Sequence, residues 1–150
     1  MSRTFLFIIL LIFLSVGCKS ENVQGVIIGD TLLIHQSYLE NQELKELIIK
    51  SLNKNEEAIL KLKDVPNGGA AGSYELGYII TQIIYKIGED DFYKIISSLS
   101  PEEIKGFEGY IQVGLEYGDN NHNGVMDYKK MNQEFPKLYS LFQNIEIKNL

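Results

Sequence analysis

An all-α fold, a small bundle of five or six short helices, is what this sequence predicts, and three observations predict it. Apolar residues recur at helical spacing along most of the chain. The clearest stripe is Leu76, Ile79, Ile80, Ile83, Ile84 and Ile87, at i, i+3, i+4, i+7, i+8 and i+11. The stripes are separated by residues that stop and start helices. Gly88 precedes Glu89-Asp90-Asp91, and in Ser100-Pro101-Glu102-Glu103 the serine caps, the proline takes the first helical position and a glutamate completes a capping box. Finally, 150 residues with 45% hydrophobic content make one domain that can bury a core without disulfides.

Taken in order, Val26-Ile27-Ile28 and Thr31-Leu32-Leu33-Ile34 flank Gly29-Asp30, the spacing of a short N-terminal β-hairpin with a two-residue turn. Two strands alone are marginal, so the alternative is an extended lead-in to the first helix. From about Tyr38 the pattern is helical, with Leu44, Leu47, Ile48 and Leu52 on one side. Asn53-Lys54-Asn55 breaks it, and Glu56-Glu57 open a second helix that runs to about Lys63. The Gly-rich stretch Asp64 to Ser73 has two readings: an anion held by backbone amides at a helix start, or small residues that let helices approach, with Ser73 as the cap.

The core helix is placed at 74–87. Tyr74, Tyr78 and Tyr85 lie off its apolar stripe, where a rigid ring with a polar tip suits partner binding. Phe92, Ile95, Ile96 and Leu99 repeat the stripe in the next helix, and Ile104, Phe107, Ile111 and Leu115 in the one after, which ends at Gly118. Tyr128, Met131, Phe135, Leu138 and Phe142 mark an exit helix that Pro136 must kink or restart.

The start of the chain has a different character. Arg3 is followed by an unbroken apolar run from Phe5 to Leu14, too short for the roughly 20 residues a membrane-spanning helix needs, as in a secretory signal. The run leads into Leu14-Ser15-Val16-Gly17-Cys18, which resembles the lipobox of bacterial lipoproteins. That resemblance implies cleavage before Cys18, lipid modification of its thiol and attachment to a membrane in the cell envelope. Lys19 after the cysteine, rather than Asp, points by the same resemblance to the outer membrane more than the inner. The expected organisation is a signal peptide at 1–17, a lipidated tether at 18–25 and a helical domain at 26–150. Cys18 is the single cysteine, which excludes disulfide frameworks and cysteine-based zinc sites. After cleavage 13 lysines face 20 acids, a net charge of −7, which argues against nucleic acid.

The densest chemistry is in Gly118-Asp119-Asn120-Asn121-His122-Asn123-Gly124-Val125-Met126-Asp127, where oxygen-bearing side chains recur at every second residue and then meet a glycine. Calcium takes six to eight oxygens at about 2.3 to 2.6 Å, and a loop delivers them from alternate positions if its sixth residue can turn sharply. The stretch resembles a single calcium loop of the EF-hand or dockerin type, in a helix–loop–helix spanning 101–143. The resemblance implies Asp119, Asn121, Asn123, the carbonyl of Val125 and Asp127 as ligands, with Gly124 at the turn. It departs from the family at position 12, where Lys130 replaces a bidentate glutamate. With two carboxylates left, the affinity expected is about 10⁻⁴ to 10⁻³ M. The competing reading is a polar turn in which Asp127 caps the next helix.

No serine–histidine–acid arrangement is legible with only His35 and His122, and the acid clusters fall where helix dipoles favour negative charge. Glu75 and Glu116 alone stand outside that explanation. The residues therefore favour a non-enzymatic, membrane-anchored protein-binding module with a weak structural calcium site. One form is an immunity or inhibitor protein against a secreted toxin or hydrolase. The alternatives are a structural accessory subunit of an envelope complex and a small carboxylate-dependent hydrolase.

Overall fold

The structure is a computed structural model that describes residues 20–148. Its elements are β1 (Glu21–Val23), β2 (Val26–Ile28), α1 (Asp30–His35), α2 (Tyr38–Leu52), α3 (Glu56–Leu62), α4 (Ala70–Ile87), α5 (Glu89–Ile96), α6 (Pro101–Tyr117), α7 (Met131–Glu134) and α8 (Pro136–Lys148). The expected signal peptide, Cys18 and Lys19 lie outside the described residues. Among the described residues no helix is long and apolar enough to cross a membrane. The fold is a small helical bundle with a two-stranded antiparallel hairpin in front. It holds more helices than five or six, because 31–34 is helical and Pro136 divides the last helix.

The hairpin occupies a different register from the one expected. Glu21 pairs with Ile28 and Val23 with Val26, around a turn at Gln24 (φ 51°) and Gly25 (φ 82°). Positive φ at both central residues matches the right-handed twist of the strands, and Asn22 Oδ1 accepts the Gly25 amide at 2.7 Å. The strand thus begins inside the segment expected to be tether. Gly29-Asp30 opens α1 instead of turning. Gly29 brings no side chain to its cap, and the Glu75 carboxylate from α4 takes the orphan amides of Thr31 (3.1 Å) and Leu32 (2.6 Å). That contact crosses 44 residues of sequence, so no local pattern announces it.

The core sits around α4. Leu76, Ile79, Ile80, Ile83 and Ile84 are fully buried, as their spacing predicts. Each isoleucine so buried contributes about 1.5 to 3 kcal/mol. The most extensive packing is α4 against α6, where the backbones meet at Gly77 and Gly114: a Cβ on Gly114 would overlap the Gly77 carbonyl. Phe92 on α5 meets Phe107 on α6 edge to face at 5.6 Å. Both serine capping boxes form, Ser37 with Glu40 and Ser100 with Glu103. Gly69 at φ 121°, not Ser73, precedes the first turn of α4, which starts four residues before the expected position 74. The expected exit helix does not start at Tyr128. Residues 127–129 run back along the end of α6, with the amides of Asp127, Tyr128 and Lys129 donating to the carbonyls of Gly118, Glu116 and Leu115 at 3.0 Å each.

Candidate functional site

The loop between α6 and α7 is built from side chains folded onto their own backbone. Asp119 accepts the amide of Asn123 on one oxygen at 2.8 Å and that of Gly124 on the other at 2.7 Å. Asn121 Oδ1 accepts the Asn123 amide at 3.1 Å, and Asn123 Oδ1 the Val125 amide at 2.8 Å. Gly124 turns at φ 83°. Asp127 closes the ring: its Oδ2 accepts the Asn120 amide and its Oδ1 the Asn121 side-chain amide, each at 2.7 Å. Its carboxylate is 4% exposed and caps no helix; Lys130 precedes α7 without a side-chain cap, so the capping role weighed for Asp127 is corrected.

The loop is in turn seated on α4. Tyr78 donates its hydroxyl to the Asp119 carbonyl at 2.7 Å, Thr81 hydrogen-bonds Asn120 Oδ1 at 3.1 Å, and Asn120 Nδ2 donates to the Gly114 carbonyl at 3.1 Å. Burial, and then the charges of Asp119 and Asp127, push the Tyr78 hydroxyl up to about 12. Lys129 Nζ lies 3.9 Å from Asp127 and 3.6 Å from Glu134.

Asp119, Asn121, Asn123, Val125 and Asp127 therefore belong to one ring. The oxygens shown in it are carboxylate and amide, the chemistry of a hard cation. A carboxylate or amide oxygen has two lone-pair sites, and each hydrogen bond above uses one. Formal charge comes from two carboxylates alone, and among the described residues no three His, Cys, Asp or Glu side chains gather at one point. The oxygens of the loop are therefore mostly neutral, and only Asp119 and Asp127 bring charge. When bound, the ion would supply charge that ties α6 to the residues leading into α7.

The three tyrosines marked for partner binding do not share a role. Tyr74 is 45% exposed and stacks on Tyr117 at 5.1 Å. Tyr78 is taken up beneath the loop. Tyr85 donates to Glu134 at 2.6 Å, with Lys129 5.0 Å over its ring and Phe135 4.9 Å away. Burial first, then Glu134, holds its hydroxyl far above the usual phenol range. In place of the trio, the surface beside the loop carries the Tyr74–Tyr117 stack together with exposed Met126 and Tyr128, the Tyr128 hydroxyl 3.8 Å from Met126 Sδ.

Several residues were missed or misread in the sequence. Glu75 is a remote helix cap. Gln82 is buried and acts as a third strand for β2, accepting the Ile27 amide at 2.8 Å and donating to its carbonyl at 3.0 Å. Its one signal was a polar residue inside an apolar stripe. Fold and site together define a small helical domain with an oxygen-lined loop locked against its central helix. No family model, curated protein or solved structure matches this chain.

Proposed function

We propose that the chain is a lipid-anchored protein of the cell envelope, on the outer membrane rather than the inner, that binds a protein partner through the aromatic surface beside its loop. Calcium, held by Asp119, Asn121, Asn123, the Val125 carbonyl and Asp127, would stiffen that surface. The observation that carries the reading is the juxtaposition of two features. Tyr117 ends α6, Tyr128 hydrogen-bonds through its backbone to Glu116, and the ring of oxygens lies between them in sequence. Fixing the loop therefore fixes the spacing of Tyr74, Tyr117, Met126 and Tyr128. Rigid aromatic rings with polar tips lose little entropy on binding and are common at the centres of interfaces.

The acids support binding over catalysis. Glu75 caps α1, Glu103 completes its capping box, and Glu89 accepts the Lys137 and Leu138 amides at the start of α8. Each is engaged in holding a helix end. An inhibitor or immunity role is one form of such a module.

The test is photo-crosslinking in the source cell. A photoreactive residue at Tyr117 is expected to give one discrete protein adduct in the membrane fraction, weakened by chelator. The same probe at Lys61, which is also exposed but on α3, is expected to give none. No adduct at Tyr117, or the same adducts at both, contradicts the proposal.

A further inference from the structure

The most exposed large apolar side chains in the described residues are Ile34, Tyr38 and Leu39, at 77%, 76% and 71%. They gather where α1 ends and α2 begins. Nothing in the fold requires them there: α1 buries Leu32 and α2 buries Leu44 and Ile48 on the inward side. Singly exposed hydrophobic residues are ordinary, but three of them at one corner, with Ile49 further along the same helix, form a patch.

Where the chain enters the domain says what covers it. Glu21 begins β1, and two contacts locate it. It pairs with Ile28, two residues before α1, and its carboxylate holds Lys45 of α2 at 2.7 Å. Tyr38, Gln42, Lys45 and Ile49 follow at i, i+4, i+7 and i+11, so they form one stripe along α2. Tyr38 is about 10 Å along that stripe from Lys45, at 1.5 Å per residue. The entry of the chain and the apolar corner thus lie on the same side of the molecule.

From this we infer that Ile34, Tyr38 and Leu39 rest in the surface of the bilayer that holds the anchor, an inference that depends on Cys18 being acylated as proposed above. Three residue steps separate Cys18 from Glu21, and a fully extended chain covers at most about 10 to 11 Å in that length. A domain on so short a leash cannot stand clear of the headgroups. The side bearing β1 faces the lipid, and an aromatic ring with a polar tip beside two aliphatic side chains suits the interface between headgroup and acyl chain. Glu40, Glu43 and Glu46 surround the corner on α2, so attachment rests on apolar contact and does not need anionic lipid.

The chain contains no tryptophan, so a single one reports its own surroundings. The test uses full-length protein, processed and acylated in a bacterial host, in vesicles of phosphatidylethanolamine and phosphatidylcholine. Tyr38→Trp is expected to emit at shorter wavelength than Tyr128→Trp. It should lose most of its emission to lipids brominated in the acyl chain and resist aqueous iodide. Tyr128→Trp should show the reverse. If the protein carries labelled palmitate and floats with the vesicles but Tyr38→Trp is quenched by iodide as readily as Tyr128→Trp, the inference fails and the anchor stands. If Tyr38→Trp is open to iodide in pure lipid yet shielded in native envelopes, a protein covers the corner, which also overturns it. Failure to take up palmitate or to float removes the anchor and the inference together.

Discussion

The contact between α4 and α6 and the loop at 119–127 lie side by side, share Gly114, and are held together by opposite means. At the helix contact the backbones touch because two glycines 37 positions apart have nothing to put between them, and the geometry is fixed by burial. In the loop the geometry is fixed by short-range hydrogen bonds that Asp119, Asn121, Asn123 and Asp127 accept from amides within seven residues. The first kind of order is worth a large share of global stability. The second is worth little to the fold and much to the shape of a site. Tyr78 and Asn120 join the two, so the loop inherits its position from the core and keeps its own conformation.

The contrast predicts where stability is lost. Gly114→Val drives a side chain into the Gly77 carbonyl and is expected to cost about 3 kcal/mol, read as a lower denaturant midpoint. Gly109→Val on the same helix, where an added Cβ meets nothing, should change stability by under about 1 kcal/mol. Equal effects at the two glycines would mean the backbone contact is not what orders the pair.

A smaller effect is expected where the loop meets the core. Tyr78→Phe removes the hydrogen bond to the Asp119 carbonyl and should cost about 1 kcal/mol at neutral pH. It should also change the alkaline limb. The Tyr78 hydroxyl titrates near 12 in the fold against an ordinary value of 10, so the folded chain holds a proton that the unfolded chain gives up. That contribution is complete below pH 10 and disappears as pH rises towards 12. Stability measured from pH 9 to 12 should therefore fall less steeply in Tyr78→Phe than in the parent. Some fall persists, because Tyr85 is shifted in the same direction. Identical slopes would place Tyr78 in contact with water rather than under the loop.

What the sequence made legible follows the same division. Periodicity located the buried face of α4, and the Ser100 box was readable because capping is local to four residues; the like box at Ser37 and Glu40 is a finding of the structure. The ring of loop residues was readable for the same reason, with its register set by alternate oxygens and one glycine. Long-range contacts were not. Thr31 to Ile34 have the composition of a strand, yet Glu75 satisfies their first amides and makes them a helix. The hairpin fell instead on Gln24-Gly25, which has the β-rich run Val26-Ile27-Ile28 on one side and only the mostly polar Glu21-Asn22-Val23 on the other. Tyr74, Tyr78 and Tyr85 looked alike on one helix and were separated by what packs on each: a ring, a loop and an ion pair. Tyr128 looks helical by spacing, but its amide and those of Asp127 and Lys129 are captured by the end of α6.

The proposed site is tested most directly by thermal unfolding of the mature protein in millimolar calcium, in magnesium and in chelator, beside Asp119→Ala. A ligand that binds only the folded state stabilises it by RT ln(1 + [L]/Kd), about 1.4 kcal/mol at ten times Kd. For a domain of this size that is a rise of about 3 to 6 °C. The account predicts this rise with calcium, little or none with magnesium, and none in Asp119→Ala. No rise in the parent, or an equal rise in Asp119→Ala, would make the ring a hydrogen-bonded turn and remove calcium from the account.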